Sequence, residues 1–161
     1  NVVVFDMRQD RLAHMMEVNH NVTALYPYQE TVAREVRDAD LVIGAVLVPS
    51  ARAPHVITRS MVESMEPGTV LVDIAIDQGD CFETSRPTTW ADPTYLVDGV
   101  THFCVTNMPG AVPQTSSQAI CAAILPYVSR LASDADWKQY APLKAGINVA
   151  GGEIVHPALK A

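Results

Sequence analysis

The chain has 161 residues, of which 48% are hydrophobic and 18% are charged, and its formal net charge is −7. This composition excludes an intrinsically disordered chain and is sufficient for the core of one domain. The acidic balance argues against nucleic acid or an anionic membrane surface as a partner.

The three cysteines, Cys81, Cys104 and Cys121, are far apart and lack the spacing of a metal site. The five histidines likewise show no paired spacing that would predict metal ligands. No apolar run approaches the roughly 18–20 residues of a membrane span. We therefore expect a cytoplasmic protein with reduced thiols and no bound metal. Because the chain opens with Asn1 rather than Met, we also expect the natural N-terminus to lie upstream.

Short apolar runs alternate with segments of helical period, a pattern typical of parallel strands joined by helices. The elements predicted between residues 1 and 105 are a strand at 2–5, a helix at 6–16, a strand at 22–25, a helix at 31–38, a strand at 41–46, a helix at 58–65, and strands at 69–75, 95–97 and 101–105. The helix residues expected to face the core are Leu12, Ala13, Met16, Val32, Ala33 and Val36. The pattern predicts an α/β fold with a doubly wound parallel sheet.

The pattern changes after Pro113. Thr115 and Gln118 resemble a capping pair at the start of a helix. The apolar residues that follow at helical spacing are Ile120, Ala123, Ile124, Tyr127, Val128 and Leu131. They predict a long amphipathic helix that Pro126 should kink. A short helix near Trp137 and a loose tail containing Gly151 and Gly152 are expected behind it.

A doubly wound sheet that binds a dinucleotide begins with a strand, a glycine-rich turn and a helix. The sequence contains no G-x-G-x-x-G pattern, but it has the element expected next, an apolar strand that ends in Asp6. A carboxylate there binds the adenosine ribose and favours NAD over NADP. Alternatively, Asp6 and Gln9 form a helix cap. Arg8 and Arg11 are compatible either with a phosphate contact or with a solvated helix surface.

The first strand of such a fold lies in the middle of its sheet. A chain without that strand leaves two strand edges unpaired at the centre, with exposed backbone donors and acceptors. We therefore expect this chain to be part of a longer protein, or another segment to fill the gap.

Three stretches follow predicted strands at the edge where open α/β sheets bind ligands. The run from Gly44 to Pro49 offers small residues that an adenosine can approach, or is simply a buried strand that enters a turn. Asp77 lies where a carboxylate can position water, ammonia or a ribose, or it helps to form a turn with Gly79. The run from 107 to 113 predicts an ordered turn beside the nicotinamide.

Long runs of this sequence resemble the alanine dehydrogenase/pyridine nucleotide transhydrogenase family, and within it the alanine dehydrogenases. The runs that carry the resemblance are 39–49, 70–79, 81–83, 85–89 and 107–113. The resemblance implies a Rossmann-type NAD-binding domain over 1–113 that lacks its first strand. It also implies a C-terminal helical segment over 114–161 that packs on an N-terminal substrate domain.

The resemblance further implies reversible oxidative deamination, in which L-alanine, water and NAD⁺ give pyruvate, ammonia and NADH. Asp77 matches the family's active-site aspartate and is the expected catalytic residue. The residues expected to bind NAD are Asp6, Arg11, Ala45, Val46, Val56, Ile74, Asp77, Val105, Asn107 and Met108. Relatives are commonly hexamers, so a homo-oligomer is expected.

Two departures from the family qualify these expectations. The family's substrate-binding arginine and lysine and its catalytic histidine belong to the N-terminal domain, so they are assigned to no residue here. Pro27 stands where relatives have a serine near the adenine, and one adenosine contact is therefore expected to differ.

Two alternative functions are the nucleotide-binding part of a proton-translocating transhydrogenase and a non-catalytic NAD-binding module. The first should lack the run Asp77-Gln78-Gly79 and the run from 107 to 110. The second is compatible with the absence of a glycine-rich turn and of the family histidine.

Overall fold

The computed structural model describes residues 1–48, 54–133 and 136–160. Its strands are β1 (Val2–Phe5), β2 (Val22–Leu25), β3 (Leu41–Gly44), β4 (Val70–Asp73), β5 (Thr94–Val97), β6 (Val100–Phe103), β7 (Val149–Ala150) and β8 (Glu153–Ile154). Its α-helices are α1 (Gln9–Val18), α2 (Gln29–Arg37), α3 (Arg59–Glu63), α4 (Pro113–Ser133) and α5 (Ala141–Ala145). Short 3₁₀ helices cover Ile76–Gln78, Met108–Ala111, Trp137–Gln139 and Pro157–Leu159.

The described residues fall into two compact units. The first contains 1–47 and 54–106, and the second contains 48, 107–133 and 136–160. The first unit holds β1–β6 and α1–α3, and this mixture of parallel strands and helices confirms the predicted α/β class. The functional division after residue 113 remains a prediction.

The first unit contains two sheets. In one, β1 pairs with β2 in parallel. In the other, the strand order is β3-β4-β6-β5, with β3, β4 and β6 parallel and β5 antiparallel at one edge. Among the described residues, β1 and β3 are therefore each the last strand of a sheet, as expected for a sheet without its central strand. Val2 of β1 and Ile43 of β3 are 49% and 55% exposed.

The core of the first unit lies between the four-stranded sheet and helices α2 and α3. Its members are Val32, Val36, Ile57, Met61, Val62, Met65, Leu71, Ala75, Cys81, Phe82 and Val100. Val62 and Leu71 are completely buried, and each contributes about 1.5–3 kcal/mol of transfer free energy. Val32 and Val36 face this core and Ala33 packs against it, which confirms the predicted inner face of α2.

Helix α1 differs from its prediction in where it begins and in which residues it buries. It begins at Gln9 rather than at Asp6, and Arg8 occupies the N-cap position. Leu12 is buried as predicted, but Met16 is 54% exposed. Ala13 is also exposed, whereas Met15 is half-buried. The prediction for Ala13 and Met16 is therefore wrong. Met15, three positions after Leu12, shares the buried face, and Met16, four positions after it, does not.

Several strands are shorter than predicted. β3 ends at Gly44 instead of 46, and β4 covers Val70–Asp73 instead of 69–75. β5 is antiparallel to β6 through a tight turn at Asp98 and Gly99, both with positive φ. Pro49, the last residue of the run that starts at Gly44, lies outside the described residues.

The second unit contains the long helix. α4 begins at Pro113, where a proline loses no helical hydrogen bond, so the capping pair predicted at Thr115 and Gln118 is wrong. Pro126 lies inside the helix as predicted, and the described residues of α4 include no buried side chain. The expected loose tail is instead the hairpin β7–β8, whose turn residues Gly151 and Gly152 have φ of 59° and 84°.

Candidate active site

The carboxyl ends of β3 and β4 lie side by side. Gly44 is the register partner of Asp73, and the backbone N–H of Ile74 donates to the carbonyl of Gly44 at 2.8 Å. The segments that leave the two strands therefore start at one edge of the sheet, where open α/β sheets bind their ligands.

Cys81 joins three segments at this edge. Its carbonyl accepts from the backbone N–H of Val56 at 2.8 Å and of Ile57 at 3.2 Å. Its Sγ accepts from the backbone N–H of Val46 at 3.4 Å. Its side chain is 1% exposed, and burial raises the pKa of the thiol to about 11. The thiol therefore stays protonated at neutral pH and serves as a packing and hydrogen-bonding group rather than as a nucleophile.

The structure places most of the predicted cofactor residues of the first unit along this edge. Ala45 and Ile74 are exposed, and Val46 and Val56 are half-buried. Val105 is only 1% exposed, so its side chain packs inside the protein and a ligand there would meet backbone. Their role in binding NAD remains a prediction.

Asp77 lies in the 3₁₀ turn Ile76–Gln78, immediately beyond β4, and its side chain is exposed. Gly79 and Asp80 follow with φ of 120° and 64°. Two consecutive left-handed residues reverse the chain sharply, so Asp77 stands on a tight turn. The turn and the exposed carboxylate are both present at this position, so the two roles considered for it are compatible.

Asp73 ends β4 and differs from Asp77 in being fully buried. Its Oδ1 accepts from the N–H of Ala75 at 3.0 Å. Its Oδ2 accepts from the N–H of Cys81 at 2.9 Å and from the hydroxyl of Ser85 at 2.6 Å. In the sequence Asp73 lies within the apolar run 69–75, and nothing there indicates its partners at 81 and 85.

Asp6 follows β1 and its side chain is 27% exposed. Oδ1 accepts from the backbone N–H of Arg8 at 2.8 Å, which is a local turn rather than the predicted cap with Gln9. Oδ2 lies 3.5 Å from the guanidinium of Arg11. Arg8 pairs with Asp10, whose pKa is lowered by that hydrogen bond. Both arginines near Asp6 thus have a carboxylate partner.

A second buried polar cluster lies beside β5 and β6 and was missed in the sequence. His102 Nε2 is 2.7 Å from the hydroxyl of Thr84, and Nδ1 is 3.1 Å from the carbonyl of Val100. The ring stacks on Tyr95, 4.9 Å between centroids, and Tyr95 donates to the carbonyl of Thr84 at 2.9 Å. Burial lowers the pKa of His102 and raises that of Tyr95. Through Thr84, this cluster attaches the segment that follows Asp77 to strands β5 and β6.

Asn107 and Met108 belong to the second unit. Asn107 has φ 53° and ψ 52° and precedes the 3₁₀ helix that begins at Met108. Asn tolerates this left-handed conformation better than most residues. Gly110 packs against the Asn107 side chain, since a Cβ at 110 would lie 3.1 Å from its Nδ2. The predicted ordered turn is therefore present.

Comparison with protein families gives a match over residues 1–157 to the model described as Alanine dehydrogenase/PNT, C-terminal domain. The chain belongs to this family. The alanine dehydrogenase of Halomonas elongata is 54% identical, over 81% of this chain and 36% of that protein. The alanine dehydrogenase of Mycolicibacterium smegmatis is 44% identical, over 99% of this chain and 44% of that protein.

Solved structures place the chain in the same family. A structure of an L-alanine dehydrogenase matches with a TM-score of 0.87 and 44% identity, over 99% of this chain and 45% of that one. A transhydrogenase from Sinorhizobium meliloti matches with a TM-score of 0.76 and 25% identity, over 98% of this chain and 42% of that one. The chain thus spans less than half the length of these alanine dehydrogenase/PNT relatives.

Proposed function

We propose that this chain is the nucleotide-binding part of an alanine dehydrogenase, which converts L-alanine, water and NAD⁺ reversibly to pyruvate, ammonia and NADH. The observation that carries the proposal is the pair of alanine dehydrogenases at 54% and 44% identity, against 25% for the transhydrogenase structure. The runs around Asp77 and Asn107, which a transhydrogenase is expected to lack, favour the same choice.

The residues of the first unit suit the nucleoside parts of NAD. Asp6 offers carboxylate oxygens to ribose hydroxyls, which are hydrogen-bond donors. Ala45 and Ile74 leave the sheet edge accessible for close approach of a ligand. When bound, NAD⁺ accepts the hydride that the substrate carbon loses.

Asp77 has a proton-transfer or positioning role in this proposal. The water that adds to the imine of the substrate must lose protons, and the departing ammonia must gain one. An exposed carboxylate on a tight turn can orient the water and hold a proton during these steps. The family's substrate-binding arginine and lysine and its catalytic histidine would come from outside this chain.

The deciding experiment uses the whole natural protein, purified and incubated with L-alanine and NAD⁺ while the absorbance of NADH is followed. We expect NADH formation that depends on L-alanine and is absent with D-alanine. A non-catalytic module would instead change the fluorescence of Trp90 or Trp137 on binding NAD⁺ without turnover. A transhydrogenase would transfer hydride between the two nicotinamide nucleotides with no amino acid present.

We further propose a cytoplasmic homo-oligomer, a hexamer by resemblance. In the described part of the chain, no helix has the length and apolarity needed to cross a membrane. The apolar side chains of α4 are exposed, with Ile120 at 60% and Leu131 at 46%. Sedimentation analysis of the whole protein would test this assembly, and a monomer at all concentrations would contradict it.

A further inference from the structure

The carboxylate of Asp73 holds both ends of the turn that carries Asp77. Ala75, which donates to Oδ1, directly precedes the 3₁₀ helix, and Cys81, which donates to Oδ2, comes directly after Asp80. Between these anchors the chain reverses through two left-handed residues. The exposed Asp77 therefore lies between two backbone N–H groups, those of Ala75 and Cys81, which are both held by the buried side chain of Asp73.

The three partners of Asp73 explain why this position suits aspartate. Ala75, Cys81 and Ser85 all act as donors, so both oxygens of residue 73 must accept. Asparagine has the same shape but only one oxygen, and its NH₂ group would face at least one of these donors. Since the site is fully buried, water cannot replace a lost partner without a rearrangement.

The contacts of Asp73 extend beyond the turn. Ser85, which donates to Oδ2, lies 3.8 Å from the thiol of Cys104, measured from Oγ to Sγ. Cys104 in turn lies 3.6 Å from the hydroxyl of Tyr95. The carboxylate thus connects the Asp77 turn to the buried cluster beside β5 and β6, and the sheet can keep the turn in one conformation.

We propose that Asp73 is a positioning residue for Asp77, whose carboxylate fixes the 75–81 turn and so sets where Asp77 stands at the sheet edge. The inference rests on the proposed function for the role of Asp77 and extends it to a buried residue. Asp73 acts through the turn and does not itself meet the substrate.

The test is Asp73→Asn in the whole protein, with two measurements. Amide hydrogen exchange at Ala75 and Cys81 should become at least about tenfold faster, because their acceptor is lost or reoriented. The kcat for L-alanine oxidation should fall at least about tenfold while its KM stays within about twofold, since misplaced catalytic groups lower the rate of chemistry. A residue that served stability alone would leave the kcat of the folded protein unchanged.

Thr69→Val is the matched control. Thr69 is 4% exposed and directly precedes Val70, the first residue of β4. Its hydroxyl donates to the carbonyl of Ala39 at 3.0 Å. The loss of this hydrogen bond should lower the Tm, as for any buried hydrogen bond, and leave both the kcat and the exchange at 75 and 81 unchanged.

If Asp73→Asn does not fold, a second variant, Ser85→Ala, removes one donor and keeps the carboxylate. It should lower kcat about threefold or more and speed exchange at Cys81.

Unchanged exchange, or faster exchange with kcat within about twofold of the unaltered protein, would overturn the proposal. If the unaltered protein forms no NADH from L-alanine, the proposed function fails separately. In that case the exchange at Ala75 and Cys81 still decides whether Asp73 fixes the turn.

Discussion

Gly44 and Cys81 are packed so closely that no side chain fits on residue 44. A Cβ added to Gly44 would lie 2.6 Å from the Cβ of Cys81 and 2.8 Å from Cζ of Phe82. Cys81 is also held by the backbone of Val46 and Val56, so it cannot move aside without breaking those hydrogen bonds. The close contact places the end of β3 directly against the segment that carries Cys81 and Phe82.

Gly44→Ala should therefore destabilise the protein by about 1–3 kcal/mol, the usual cost of overpacking a core. Denaturant unfolding of the whole protein measures this change. Gly146→Ala is the control, because Gly146 has a negative φ and a Cβ there would lie 3.6 Å from its nearest neighbour. Equal stability of the two variants would show that Cys81 and Phe82 can move.

Asp77→Ala in the whole enzyme should lower kcat by roughly two orders of magnitude or more, a typical size for acid–base or positioning groups. Steady-state kinetics with L-alanine and NAD⁺ measure it. The control is Asp92→Asn, which changes another exposed carboxylate of the same unit and should leave kcat within about twofold. An unchanged kcat in Asp77→Ala would remove this residue from the mechanism.

Asp6→Ala should raise the KM for NAD⁺ about tenfold and weaken the preference for NAD⁺ over NADP⁺. The carboxylate that receives ribose hydroxyls is lost, and Arg11 no longer has it as a partner. Kinetics with both nucleotides measure the change, and Glu17→Gln, at an exposed position of helix α1, is the control for the loss of one negative charge. A selective loss of L-alanine affinity would contradict the assignment of Asp6 to the cofactor.

The alternation of apolar strands and amphipathic helices is predictable from the sequence because it depends on local periodicity. The strands at 2–5 and 22–25 are confirmed with their exact bounds. The inner face of α1 is not predictable in the same way, since Met15 and Met16 both lie one turn from Leu12. Tertiary packing selects between them, and this information is not contained in the local pattern.

The candidate site is predictable only in part, for a related reason. Asp77 stands out because it ends an apolar run and precedes Gly79. The buried hydrogen bonds of Asp73 join it to residues 8 and 12 positions further along the chain. His102 likewise meets Thr84, which lies 18 positions earlier in the chain. Such non-local pairs leave no periodic signal in a single sequence, so the groups that support the site emerge only from the fold.

His102 should make the protein less stable in mild acid. Burial lowers its pKa below the usual 6.5. Between the folded-state pKa and pH 6.5, His102 therefore binds a proton in the unfolded chain but not in the folded protein. The free energy of unfolding therefore keeps this contribution above pH 6.5 and loses it as the pH falls through the folded-state value. Urea unfolding of the whole protein measures the free energy of unfolding at about pH 7.5 and about pH 5.5. The decrease between these two pH values should be smaller in His102→Asn than in His14→Asn, a control at an exposed histidine. Equal decreases in the two variants would show that His102 binds its proton as readily in the folded protein as in the unfolded chain.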